Sequence, residues 1–352
     1  MTRHNLFSFA TSELSQDAFL CWLAALADHD DPELQQLGKA FIAWLWERAR
    51  GSKVAPKQVA LTKAPERQVD HIDVLFEADV EGKPVLFLIE DKTETSHHSG
   101  QLKRYLEGVK HGHVIPIYFK TGYHFGADLA AAHAKYTVIG LGEWVRFLKA
   151  QTVHSDILDD YRAYVSDMLE KREVALAALK TPAGFLHAFK EDFVQFQFMQ
   201  LLATACPEFL GKQLVYRGKS LGGAPWTQYL FAVFDQALPG GGKESLFYRL
   251  DRRKDGWYLA VRQHAKVEEA PEAREAKLKR LKIYREIFKQ AAAEGSVTES
   301  LGRASTDNRG KNESEIAVLF FTESGNTPSR VLELLPAVHR AFVARITDGL
   351  PI

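Results

Sequence analysis

The chain has 352 residues and no formal net charge, with 45 Lys+Arg against 45 Asp+Glu. At 46% hydrophobic and 26% charged residues the composition excludes wholesale disorder, and at roughly 150 residues per domain the length suggests about two domains. Two cysteines, Cys21 and Cys206, exclude a disulfide framework; no apolar run approaches the ~18 residues of a membrane span, and Met1 to Ala10 lacks a signal-peptide core, so a cytoplasmic protein with no membrane partner is expected.

The chain opens with helical periodicity. Leu14, Ala18, Cys21, Trp22 and Ala25 share one stripe, with Thr11 and Ser12 as N-caps. A second helix follows Pro32, with Leu34, Leu37, Phe41, Trp44 and Leu45 at three- and four-residue spacings. The period then changes to two. Val54–Leu61, Val69–Ala78 and Pro84–Asp91 read as strands, with Glu81-Gly82-Lys83 a tight turn between the last two. A helix over Gln101–Val109, strands over Val114–Phe119 and Tyr136–Ile139, and helices over Glu143–Ala150 and Ile157–Leu179 complete a mixed α/β first half. A boundary is expected at Thr181-Pro182, giving domains 1–181 and 182–352. The second half reads as an α+β domain. Its predicted elements are a helix Phe185–Ala203, strands Trp226–Phe234, Ser245–Leu250, Gly256–Gln263 and Glu315–Thr322, and helices Ala273–Ala293 and Ser329–Ile346.

Most of the chemistry lies between Val69 and Lys92. Along the apolar run Val85–Ile89 into Glu90-Asp91-Lys92, strand alternation puts Glu90 and Lys92 on one face and Asp91 on the other. A hairpin through residues 80–83 can bring Asp73 beside Glu90. Two carboxylates and an ammonium at the end of an apolar strand are expensive unless something uses them. Hard divalent cations take carboxylate oxygens, and a neighbouring lysine can neutralise charge that builds on phosphorus. Read alone, the same charges also suit a solvated strand edge, and Glu13 suits a first-turn acid favoured by the helix dipole.

Asp73 followed by Glu90-Asp91-Lys92 resembles the D…(D/E)-x-K signature of the PD-(D/E)XK nuclease superfamily. Glu13-Leu14-Ser15-Gln16-Asp17-Ala18-Phe19-Leu20-Cys21-Trp22-Leu23 is similar to the first-helix acidic motif of an uncharacterised branch. Gln101-Leu102-Lys103-Arg104-Tyr105 is similar to the Q-x-x-x-Y helix motif that follows the lysine. The motif proline is missing, since His71-Ile72 precedes Asp73, and Asp70 competes with Asp73 as ligand; the Val74-Leu75-Phe76 run favours Asp73. The resemblance implies a restriction-endonuclease-like mixed β-sheet core flanked by helices. It implies Mg2+ (or Mn2+) held by Asp73, Glu90, the Asp91 carbonyl and Glu13, with Lys92 orienting the attacking water. Gln101 would touch the site and Tyr105 would support it. The implied activity is a metal-dependent phosphodiesterase, foremost a DNA endonuclease of restriction, phage defence or repair. The alternatives are an RNA-directed or partner-activated effector nuclease and a non-catalytic nucleic-acid-binding protein; a homodimer is compatible with each.

His97-His98 and His111-Gly112-His113 lack zinc spacing to a third ligand and read as loop residues. In the second half, Arg274–Lys289 carries seven basic residues. With Leu278, Leu281, Ile287 and Phe288 as a buried stripe, this helix presents a basic face on which Lys277, Arg280 and Lys282 are candidate phosphate contacts. A solvated helix surface is the plainer reading.

Overall fold

The computed structural model describes residues 5–10, 12–93, 101–109, 111–122, 135–181, 183–207, 214–219, 225–240, 242–253, 256–267, 271–295, 301–302 and 312–349. The architecture is mixed α/β with two sheets. The chain divides into two compact units, Met1–Lys171 and Arg172–Ile352. That division falls inside a long helix ahead of Thr181-Pro182.

In the first unit a five-stranded sheet has the order β1-β2-β3-β4-β5. Its strands are β1 (Val59–Val69), β2 (Ile72–Val80), β3 (Lys83–Lys92), β4 (Val114–Lys120) and β5 (Thr137–Gly140). The first three form an antiparallel meander and the last three run parallel. The helices are α1 (Glu13–Ala25), α2 (Pro32–Arg50), α3 (Gln101–Gly108), α4 (Leu141–Lys149) and α5 (Asp156–Ala178). Val85, Phe87 and Ile89 of β3 join the large core made with α1, α2, α4 and α5. On the other face, Leu88 and Tyr118 pack with Leu102 of α3 and Tyr136. The sheet register is fixed by these alternating faces, and Phe76 stacks on its strand partner Phe87 at 4.9 Å.

Several expectations are corrected. The strand read over Val54–Leu61 begins only at Val59, because Pro56–Gln58 forms a 3-10 turn. It then continues to Val69 through the polar stretch Thr62–Gln68. Asp70 and His71, at φ 51° and 68°, form the two-residue connection to β2 in place of a strand start. β1 is an exposed edge strand whose pairing shifts around Pro65, which has no N–H to give to a ladder. The apolar stripe of α1 is also displaced. Leu14, Ala18 and Ala25 are exposed and Cys21 and Trp22 half-buried, whereas Gln16, Asp17, Phe19, Leu20, Leu23 and Ala24 are buried. Core aromatics win that face: Phe19 stacks on Tyr161 of α5 at 3.7 Å. Two further corrections concern the second unit and are given below.

α2 shows why its boundaries were legible. Asp31 caps it by accepting from the Glu33 and Leu34 amides, Pro32 fills the first turn, and Gly51 ends it at φ 72°. Within it, Gly38 meets backbone: a methyl group there would lie 2.1 Å from the Ala27 nitrogen. Gly38→Ala is therefore expected to cost about 1–3 kcal/mol by overpacking, read as a lowered midpoint in urea unfolding of the first unit.

The second unit is built on a six-stranded antiparallel sheet of order β10-β11-β9-β8-β7-β6. The strands are β6 (Leu214–Lys219), β7 (Pro225–Leu238), β8 (Gly242–Arg253), β9 (Gly256–Ala265), β10 (Leu301–Gly302) and β11 (Glu313–Phe320). Helices α6 (Asp192–Ala205), α7 (Pro271–Glu294) and α8 (Pro328–Gly349) accompany it. The predicted helix Phe185–Ala203 is two pieces, a single turn Phe185–Ala188 and α6, with Glu191 as N-cap of the second. In α7 the buried stripe runs through Ala273, Lys277, Leu281, Tyr284 and Phe288, while Leu278 and Ile287 are only half-buried. The helix is thus rotated from the expected setting, and part of its basic face turns onto the sheet.

Candidate active site

The β2–β3 hairpin closes through Glu81-Gly82, both at positive φ, and pairs Val80 with Lys83 and Val74 with Ile89. That register carries Asp73 to the end of β3. The Asp73 Oδ2 accepts the Asp91 amide at 2.9 Å and the Lys92 ammonium at 3.1 Å. Lys92 Nζ also lies 2.8 Å from Glu90 Oε1 and donates to the Asp91 carbonyl at 2.8 Å. Three oxygens, from Asp73, Glu90 and the Asp91 peptide, therefore converge on one cationic centre. Asp70 sits on the hairpin turn, and Asp73 is the aspartate in contact with Lys92.

Glu90 is fully buried and Lys92 nearly so. Burial, then the charge of Asp73, pushes the Glu90 carboxyl up to about 7, against the pull of Lys92. Burial works against the Lys92 ammonium, but the charges and hydrogen bonds of Glu90 and Asp73 outweigh it and hold it above the usual lysine range. In this cage Lys92 is held as the ammonium. Asp73 is held from its second oxygen by Gln68, whose amide donates to Oδ1 at 3.0 Å from a backbone at φ 56°.

The opposite face of the strand end is also polar. Gln16 Nε2 donates to Asp91 Oδ1 at 2.5 Å, while Thr121 and Tyr161 donate to Gln16 Oε1 at 3.0 and 3.1 Å. Asp17 is buried beside Asp91. Burial and the Asp73 charge push Asp17 up to about 6, and burial with the Asp17 charge holds Asp91 well above the carboxylate range. A cavity of about 60 Å³ bordered by Gln16, Thr93, Thr121 and Tyr161 lies alongside, polar enough to hold ordered water.

The structure thus brings Asp73, Glu90, Lys92 and the Asp91 carbonyl together. Glu13 lies at the start of α1 and accepts the Thr93 amide at 3.1 Å, one residue beyond Lys92. Gln101 begins α3, and its side chain lies outside the described residues. Tyr105 packs half-buried against the Leu88–Tyr118 cluster. The His111 ring bonds the His113 backbone, and His97-His98 lies outside the described residues.

In the second unit Lys277 is 1% exposed and donates to Ser314 at 3.0 Å, burial pulling it down to about 8. Arg280 is paired with Glu244 at 2.7 Å and bonds Tyr284 at 2.8 Å. Of the three candidate phosphate contacts, Lys282 faces solvent. Sequence reasoning missed Gln16, Asp17, Gln68, Thr121 and Tyr161. For Gln16 and Asp17 a signal existed: they continue the three-and-four spacing of Phe19, Leu20 and Leu23, which places a polar pair at the head of a core stripe.

The donor set suits a hard divalent cation in kind, being two carboxylates and a carbonyl. Its spacing is that of an ammonium cage, because magnesium–oxygen distances are about 2.0–2.1 Å and Lys92 occupies the focus. Among the described residues no group of three or more His, Cys, Asp and Glu side chains could hold an ion. A bound ion would need Lys92 to withdraw, with Asp73, Glu90 and the Asp91 carbonyl as its protein ligands.

No protein-family model matches the chain. No curated protein matches it. One solved structure, the MspJI restriction endonuclease in complex with a 27-mer oligonucleotide, overlaps at 18% identity and TM-score 0.25. The overlap covers 44% of this chain and 36% of that one. The site is therefore read from its own geometry. Among the described residues no helix is long and apolar enough to cross a membrane.

Proposed function

We propose that the chain is a divalent-metal-dependent phosphodiesterase acting on nucleic acid, with DNA as the first substrate to test, built on a restriction-endonuclease-like core. The observation that carries this reading is the convergence of Asp73 Oδ2, Glu90 Oε1 and the Asp91 carbonyl on Lys92 Nζ at 2.8–3.1 Å. A fully buried carboxylate, a second carboxylate and an ammonium at one strand end cost folding free energy that burying apolar residues there would avoid. Such an arrangement is what charge-stabilised displacement at phosphorus requires.

The chain's own residues divide the work. Asp73 and Glu90 supply negative oxygens that would hold Mg2+ or Mn2+; the ion, when bound, would act as Lewis acid and lower the pKa of a coordinated water. Lys92, as the ammonium, would donate hydrogen bonds to the phosphoryl oxygens as charge develops on them. Glu13 fixes the strand end through Thr93. Exposed Lys279, Lys282 and Lys289 on α7 are the outward cations of that helix and are assigned to backbone contact.

The test is cleavage of plasmid, single-stranded DNA and RNA with Mg2+ or Mn2+, for the wild type and Glu90→Gln. The expected result is turnover of one polymer that chelation stops and that Glu90→Gln lowers by on the order of 10²-fold or more. Metal-independent cleavage, or equal rates in the two proteins, would overturn the assignment. Binding without turnover would leave a nucleic-acid-binding protein.

A further inference from the structure

Gln16 has 6% of its surface exposed on the core face of α1, where Phe19, Leu20 and Leu23 continue the buried stripe. A leucine would fill that place at lower desolvation cost, so an amide there calls for a polar purpose. Each end of the amide is engaged. Its oxygen accepts from Thr121, at the end of β4, and from Tyr161 of α5, which in turn accepts from Trp144 of α4 at 3.3 Å. With those two donors fixing the oxygen, the NH2 must point at Asp91 Oδ1, 2.5 Å away.

The Asp91 side chain has no surface exposure. Gln16 is its hydrogen-bond donor, and its carboxyl neighbour is Asp17. The Asp91 peptide, by contrast, faces the chemistry: its N–H donates to Asp73 Oδ2 at 2.9 Å and its C=O accepts from Lys92 at 2.8 Å. Side chain and peptide share one Cα, so anchoring the carboxylate restricts rotation of the peptide plane. One turn earlier on the same helix, Glu13 grips the Thr93 amide. α1 therefore holds β3 on both sides of Lys92.

We propose that Gln16, acting through Asp91, is a positioning residue that sets the oxygen focus of the phosphodiesterase site. This rests on the function proposed above. The consequence is specific to the site. Loss of the amide loosens the Asp91 side chain and, through it, the tilt of a peptide that the β4 ladder otherwise holds, so that one of the three oxygens is less well aimed while the apolar contacts of α1 persist. Groups outside the ligand set commonly change metal affinity by about 10–100-fold.

The experiment is Mn2+ titration by calorimetry on the full-length wild type, Gln16→Leu and Glu90→Gln, each paired with thermal unfolding in metal-free buffer. Gln16→Leu is expected to weaken Mn2+ binding about tenfold at a temperature where the protein is fully folded. Gln16→Glu keeps the oxygen that Thr121 and Tyr161 hold and replaces only the donor facing Asp91; it should weaken binding as well, and it serves if the leucine variant does not fold. Wild-type binding that Glu90→Gln abolishes, together with Gln16 variants within twofold of wild type, overturns the positioning role and leaves the function standing. Weakened binding that merely tracks a loss of folded protein overturns it too. A wild type that binds no Mn2+, or a Glu90→Gln that binds equally, removes the function first and this inference with it.

Discussion

Lys92→Ala is expected to abolish nucleic-acid cleavage and, separately, to destabilise the metal-free first unit by about 3–5 kcal/mol, the usual cost of removing one partner of a buried ion pair. Both effects have one origin. Lys92 neutralises Glu90 and Asp73 at 2.8 and 3.1 Å, and without it a fully buried carboxylate faces another and loses that ammonium. The sign of the pH dependence follows. Glu90 is already pushed up to about 7, above its ordinary value of 4.5, and loss of the ammonium pushes it further. The unfolded forms titrate alike and both folded proteins hold the Glu90 proton below about 7, so the Glu90 part of the deficit is absent there and grows as the pH rises above that value. Urea unfolding at pH 5.5 and 8.5, with and without millimolar Mn2+, reads this directly. The variant should lose most stability at the higher pH and regain part of it with Mn2+, because the ion replaces the missing charge. An alanine variant as stable as the wild type at pH 8.5 would show that the two carboxylates are not held together by Lys92.

Acidification is expected to weaken the second unit by roughly 3 kcal/mol between pH 6.5 and 4, through His339 alone. His339 of α8 is 1% exposed. Its Nε2 donates to the Pro207 carbonyl at 2.9 Å, so the other ring nitrogen, at 3.0 Å, must accept from the Tyr248 hydroxyl. That is the neutral tautomer, and burial pulls the imidazole down to about 4. An unfolded histidine takes its proton near 6.5, so below that value the unfolded chain binds more protons than the folded one. The stability is complete above about 6.5 and is lost as the pH falls to 4. Hydrogen exchange of β8 and α8 amides across this range is the measurement, since two units need not unfold together. His339→Gln preserves a donor and an acceptor without a titrating ring and should flatten the profile. An unchanged profile in that variant would assign acid sensitivity elsewhere.

How far the sequence could be read depends on what each residue exchanges for burial. Strand β3 was legible because it is a continuous apolar run, Val85–Ile89, buried on both faces and ended by Glu90, Asp91 and Lys92. The pairing of Asp73 with that strand end followed from hairpin geometry alone. β1 was not legible, because an edge strand has one side open to water and can carry Thr62–Gln68 without an apolar period. The α1 and α7 faces were misread for one reason. Gln16, Asp17 and Lys277 are polar, and a hydrophobic stripe assigns polar residues to solvent. Their burial depends on partners such as Thr121, Tyr161 and Ser314, from 37 to 145 positions away in the chain, which no local window contains. The same blindness turned Arg280 outward in the sequence reading, whereas Glu244 and Tyr284 draw it in.

The exposed first strand has a consequence for self-association. β1 is one of the two borders of its sheet, and an unpaired border normally invites a second copy to add a strand. Here Pro65 interrupts the row of amide donors, the register breaks twice, and charged Lys63, Glu66 and Arg67 stand along it. A neighbouring chain laid against this border would find gaps in its hydrogen bonding and charges to strip of water. Strand addition by a second copy along this border is therefore disfavoured, and the hairpin that presents Asp73 is protected from edge-to-edge pairing on that side.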